Sequence, residues 1–348
     1  MRIMIVYPGT QHSTYDVARG YEKALRQLGH TVKSFDYHHY IKFYSVALDE
    51  WEQRNENYER RIDDAVKFSS ERVAIEAVDF VPDVVLVVAG GAFHHRGYML
   101  LYRLNVPIVL LLTESPYIDD VQSRIVNQGR VSLVLTNDRN SISTLLDLTG
   151  VETRYIPHSF DPDTHHPGKS KLQTDVFFHG TLWDERDALF SPLRDLDEYD
   201  IHISGYTLQD TVETQRKNLV DNDIVADYYR GCKIAINHHR TSRENGERHI
   251  GANEAYSLGP RAYEIAACGA FQLCDGTRPE LFDVFRGSVP IYEGPQDLQE
   301  QIEFYLRDDT LRQSYAARAR EYVQNCTFTD RAQNIVIPAL QEVLNGRW

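Results

Sequence analysis

The feature that most constrains this chain is a series of short, unbroken apolar runs set between amphipathic stretches. Ile3–Tyr7, Val84–Ala89 and Val106–Leu112 are strand-length and carry no charged residue. A half-solvated strand alternates apolar and polar residues. A continuous run is buried on both faces, as in a parallel sheet covered by helices. After the first run, Val17, Ala18, Tyr21, Ala24, Leu25 and Leu28 recur at three- and four-residue spacing. That spacing predicts a helix capped at Ser13 and ended at Gly29-His30. With Thr31–Phe35 as the next strand, the opening segment is a βαβ unit and the sheet is parallel. No apolar run approaches the ~20 residues of a membrane span.

The alternation continues. Strands are expected at Val131–Thr136 and Thr153–Ile156, and helices across 44–78, Tyr98–Leu104 and Asn140–Thr149. Residues 157–175 then concentrate Pro, Gly and polar side chains and mark a boundary. Beyond it the pattern restarts with strands Val176–His179, Ile201–Ser204, Ile234–Asn237 and Phe271–Cys274, and 309–348 reads as helical with Pro338 inside. The expected architecture is α/β: two Rossmann-like doubly wound domains facing a central cleft. They cover 1–157 and 176–327, joined by a hinge linker at 158–175. A final helix over 328–348 is expected to pack back on the first domain. Ligands in such sheets bind beyond the carboxyl ends of the strands.

Charge and composition narrow the function. The 348 residues carry 37 basic and 51 acidic side chains, a net charge of −14, which disfavours a broad nucleic-acid surface but not a local basic cleft. The N-terminus runs straight into a strand with no leader pattern, so a cytoplasmic location is expected. Four cysteines (232, 268, 274 and 326) form no C-x-x-C pair and are expected as reduced thiols. There is no phosphate-binding GxxxxGK[ST] loop and no G-x-G-x-x-G after a strand. Adjacent histidines at 38/39, 94/95, 165/166 and 238/239 diverge too much to form one metal site, and no H-E-x-x-H occurs, so no metal is expected. Asp161-Pro-Asp163 reads as a turn.

The segment from Ser257 to Asp275, followed by Gly-Thr-Arg-Pro-Glu-Leu281, reads as loop, helix, glycine turn, strand and new helix. Pro260 suits the first helical position. Backbone amides around Ser257, Leu258 and Gly259 would then sit at a helix N-terminus, where an anion is favoured. Arg261 could add a charge-assisted contact to a phosphate, and Glu264 could accept two ribose hydroxyls. His238, Arg240 and Arg243 follow a strand end and could line the same site.

Arg261-Ala-Tyr-Glu264, Ala-Cys-Gly269, Asp275 and Pro-Glu-Leu281, with Val176–Leu182 and Arg186, resemble the C-terminal half of CgeB-like nucleotide-sugar glycosyltransferases, relatives of retaining family 4 on the GT-B fold. The resemblance implies that Glu264 holds the nucleotide ribose and that Gly180-Thr181 forms a glycine turn near the donor phosphates. It also implies Arg186 and Arg261 as diphosphate ligands. It departs at Tyr256, where family 4 carries a further glutamate, and Glu254 lies two residues away. That leaves the stereochemistry and the donor sugar open.

Transfer from a nucleotide sugar puts negative charge on the leaving phosphates, and an inverting reaction needs a base on the acceptor hydroxyl. His12 is the first candidate base, His94 and His95 the second, and Glu114 a candidate for positioning the acceptor. The expected function is metal-independent glycosyl transfer from a nucleotide sugar, a UDP-sugar, to an unidentified hydroxyl, with no cofactor. Alternatives are a phage-type DNA-base glycosyltransferase, a nucleotide-sugar epimerase, and a non-catalytic nucleotide-sugar binder.

Overall fold

The computed structural model describes residues 1–346 apart from 10–12, 56, 60, 62, 183, 206, 208–209, 211–219 and 242–254. The chain divides into two compact units: Met1–Ile156 with Phe328–Trp348, and Pro157–Thr327.

Unit 1 carries a six-stranded parallel sheet in the order β2-β1-β3-β4-β5-β6. Its strands are β1 (Arg2–Val6), β2 (Thr31–Phe35), β3 (Val84–Val88), β4 (Ile108–Leu112), β5 (Leu133–Thr136) and β6 (Thr153–Tyr155). The helices are α1 (Ser13–Gln27), α2 (Tyr37–Arg54), α3 (Asp64–Phe80), α4 (His95–Arg103), α5 (Asp119–Gly129) and α6 (Ser141–Thr149). The apolar runs explain the layering. Ile3, Ile5, Leu86 and Val88 join one core, while Met4, Val6, Val85 and Val87 join the core on the opposite face. Each strand thus contributes to both faces, which is why its sequence does not alternate. The helix at 119–129 has no counterpart in the sequence reading, because its polar composition hides the apolar stripe.

The C-terminal segment completes one face of unit 1. It comprises α13 (Phe328–Arg331), a π-helical turn (Ala332–Val336) and α14 (Ile337–Leu344). Ala332, Val336, Ala339, Leu340 and Val343 enter the same core as Ile3 and Leu86. Phe328 packs edge-on to Tyr21, and its ring lies so close to Gly20 that a Cβ there would sit 2.3 Å from it. The stretch read as helical over 309–348 is divided. The helix stops at Val323, and the wider turn precedes Pro338, whose missing N–H cannot serve a regular helical ladder.

Unit 2 carries a five-stranded parallel sheet in the order β11-β10-β9-β7-β8. Its strands are β7 (Thr174–His179), β8 (Ile201–Ser204), β9 (Cys232–Asn237), β10 (Gln272–Asp275) and β11 (Ile291–Tyr292). Its helices are α7 (Asp184–Phe190), α8 (Asn222–Gly231), α9 (Pro260–Ala267), α10 (Glu280–Phe285), α11 (Pro295–Leu306) and α12 (Asp309–Val323). The segment expected as a hinge linker spans 158–175. This segment belongs to unit 2, where Phe160 packs with Leu258, Ala262 and Tyr263 and pairs its backbone with Thr327. The four cysteines are free, and burial pushes the thiols of Cys232 and Cys268 up to about 12. No described helix is long and apolar enough to cross a membrane.

Candidate active site

The order of the unit 2 sheet places β9 between β7 and β10, so the loops leaving their carboxyl ends meet. After β7 the chain turns at Gly180, whose φ of +155° favours glycine. A Cβ there would lie 2.5 Å from Arg261 Nη2 and 3.6 Å from Arg186 Nη1. Two guanidiniums therefore converge on this turn. Arg261 Nη2 donates to the His179 carbonyl at 2.7 Å, and Arg186 donates to the carbonyls of Thr181 at 2.8 Å and His238 at 2.6 Å. Both lie over the Phe178 ring, at 4.9 Å and 5.4 Å. Carbonyls and a π-face thus support two guanidiniums at this turn.

Those guanidiniums bear on the histidines around them. Burial, reinforced by Arg261, pushes His179 down to about 4. Burial also takes His238 to about 4 against the pull of Asp275, and its Nδ1 lies 2.9 Å from the Tyr292 hydroxyl. His238 is therefore a neutral hydrogen-bonding group at neutral pH, not a cation for phosphate. Its neighbour His239, absent from the sequence candidates, is the better-built residue. Its backbone N–H and its Nδ1 reach Asp275 Oδ1 at 3.0 Å and 2.7 Å, and its Nε2 accepts the Gly259 N–H at 3.3 Å. Those partners assign a neutral ring protonated at Nδ1. Burial works against ionisation of Asp275, but the His239 donors and the Thr277 hydroxyl hold its carboxyl well below the usual range.

His239, Cys274 and Asp275 place ligand-type atoms within 4.8 Å of one another. Both imidazole nitrogens are already engaged, so the trio works as a brace.

The brace corrects one expectation. Gly259 N–H is spent on His239 and Leu258 N–H on buried Glu280 at 2.7 Å, so neither amide is open to an anion. Leu258 and Ser257 are buried, with the Leu258 side chain in the core. Glu264 lies on α9 three residues past Arg261 and faces His165, with Nε2 3.9 Å from Oε1. Tyr256 donates its hydroxyl to Asp283 on α10 at 2.5 Å. Arg240 is half-buried, and its carbonyl is held at 3.1 Å by Arg278, a fully buried arginine. Arg243, Glu254 and His12 lie outside the described residues.

In unit 1, His94 caps α4: its Nδ1 accepts the Arg96 N–H at 3.3 Å, and its own N–H donates to Ser70 Oγ. That lone pair is thereby occupied, and burial lowers the pKa of the ring. The His95 ring is exposed and stands 4.1 Å from that of His94, so this pair does not diverge as the sequence suggested. Glu114 follows β4, and its carbonyl accepts the Tyr117 N–H.

The family model described as glycosyl transferase-like matches residues 186–336. Spore protein CgeB of Bacillus subtilis (strain 168) is 26% identical over 267 residues, covering 72% of this chain and 81% of that protein. The chain is thus similar to glycosyl transferase-like proteins over its C-terminal half and to CgeB over most of its length. Its fold is GT-B. The sucrose-phosphate synthase of Thermosynechococcus elongatus superposes with a TM-score of 0.64 at 11% identity over the whole of both chains. Anabaena HepE, solved with UDP and glucose, gives 0.64 at 14% identity over 98% of this chain and 100% of HepE. The α,α-trehalose-phosphate synthase of Burkholderia vietnamiensis gives 0.62 at 11% identity, over 99% and 98% respectively. Sequence reasoning gave no role to His165, His179, His239 or Arg278, and quoted Asp275 only as part of the signature. For His179, His239 and Asp275 the one legible signal was a polar residue at or just past the end of an apolar strand.

Proposed function

We propose that this chain transfers a sugar from a UDP-sugar to a hydroxyl acceptor without a metal ion, with unit 2 holding the donor and unit 1 the acceptor. The observation that carries the reading is the pair of guanidiniums at Gly180. A diphosphate leaving group gains negative charge as the glycosidic bond breaks. Fixed cations on carbonyl and π-face supports stabilise that charge without reorganising, which is the role a divalent ion would otherwise fill. Glu264, one helical turn beyond Arg261, takes the ribose hydroxyls. Thr181 and Arg240 lie on the two loops that flank the phosphates. The uridine choice is supported by HepE, whose structures contain UDP and UDP-glucose. Of the acceptor-side candidates, His95 is exposed, while His94 is committed to its helix cap. His12 and Glu114 complete the set.

The test is a thermal-shift and calorimetric screen over nucleoside diphosphates, with and without a chelator. UDP should raise Tm by mass action, unaffected by chelation. Absence of a response to every nucleoside diphosphate overturns the reading.

A further inference from the structure

Most buried polar side chains in native proteins are hydrogen-bonded, and each one that is not calls for an explanation. His165 is such an exception. Its side chain is 2% exposed, and among the described residues neither ring nitrogen has a hydrogen-bond partner. The ring is not there by accident of a loose loop. The Asp161 carbonyl accepts the N–H groups of Thr164 at 3.2 Å and His165 at 2.8 Å, and Asp161 Oδ1 accepts that of Asp163 at 3.0 Å. Thr164 ties the turn to α8 twice: its hydroxyl donates to Asp223 at 3.1 Å, and its carbonyl accepts Arg230 Nη1 at 3.1 Å. A braced turn thus drives an imidazole inward, where Nε2 stops 3.9 Å from Glu264 Oε1.

We infer that His165 is a positioning residue for Glu264, donating Nε2–H to Oε1 once a ribose is engaged. The inference rests on the ribose role proposed for Glu264. A carboxylate offers about four lone-pair sites, so two ribose hydroxyls leave room for a third donor. An approach of roughly 1 Å brings the pair to hydrogen-bond distance. That bond fixes the plane of a carboxylate on a flexible side chain, so that both oxygens meet the 2′- and 3′-hydroxyls together.

The experiment is calorimetric titration with UDP, ADP, GDP and CDP and their 2′,3′-dideoxy counterparts. The quantity read is the preference for the hydroxylated ligand. Glu264→Ala should abolish that preference. His165→Phe should reduce it about 5- to 10-fold while leaving affinity for the dideoxy ligand unchanged. It should not lower Tm, because it replaces unpaired buried nitrogens with a ring of similar shape. His165→Gln, which can present an N–H near the Nε2 position, should keep most of the preference, and His165→Asn should lose it. This pair decides the matter if the Phe variant does not fold. Wild-type preference in His165→Phe or His165→Asn, alongside its loss in Glu264→Ala, overturns the inference and leaves the ribose role standing. Preference retained in Glu264→Ala, or no binding of any nucleotide, overturns both.

Discussion

Two histidines accept a backbone N–H at the start of a helix, each at 3.3 Å, and they do so in opposite ways. His94 caps its own helix from the adjacent position and is half-buried. His239 reaches the start of α9 from the end of a different strand, is buried, and is itself oriented by Asp275 from a third. The first is local and replaceable. The second ties the ends of β9 and β10 to the start of α9, two residues before Arg261. A neutral imidazole can pass orientation from one element to another because each nitrogen has a fixed role.

The comparison breaks most readily at His239. His239→Ala removes the imidazole donor from the buried Asp275 carboxylate and should cost about 3 kcal/mol, read by urea denaturation. A loss near that of a simple cap would show that the brace is not a unit. Acid should act next. His179 and His238 each fall to about 4 in the folded protein. Above pH ~6.5 both are neutral in both states. As pH falls towards about 4, the unfolded chain takes up protons that the folded chain refuses, so stability declines by about 3 kcal/mol per ring. His238→Gln should flatten that decline in denaturation series at pH 7 and pH 4.5; an unchanged slope would move the effect elsewhere.

Arg261→Ala should weaken UDP binding ~10- to 100-fold by loss of a charge-assisted contact, with urea stability little changed. Unchanged calorimetric affinity would separate the guanidinium pair from the donor. His94→Ala, the local counterpart of His239→Ala, should cost about 1 kcal/mol and leave UDP affinity unchanged. Tyr256→Phe should be the mildest, within ~0.5 kcal/mol and without effect on UDP binding, because its hydroxyl meets Asp283 at a partly exposed position. A large loss of UDP affinity there would return position 256 to the donor site.

These contrasts mark how far the sequence could be read. The strand runs gave both sheets and the C-terminal signature because each is written in consecutive residues. Arg186, Arg261, Gly180 and Glu264 were legible as a group through that signature. The packing of 158–175 was not legible because Pro and Gly content marks irregular backbone, whether or not it is packed, and Phe160 and His165 are buried. The amides at Leu258 and Gly259 were misread because their acceptors, Glu280 and His239, lie 22 and 20 residues away in the chain.

By itself the sequence determined the alternation of buried strands and amphipathic helices, since burial on both faces leaves a continuous apolar run whatever the neighbours are. Only the tertiary structure decided which polar groups meet. His239 and Asp275 are 36 residues apart, and only the order β11-β10-β9-β7-β8 brings their strand ends together beside the Gly180 turn. Hydrophobic periodicity is a property of each segment, whereas a hydrogen bond between loops is a property of their registration.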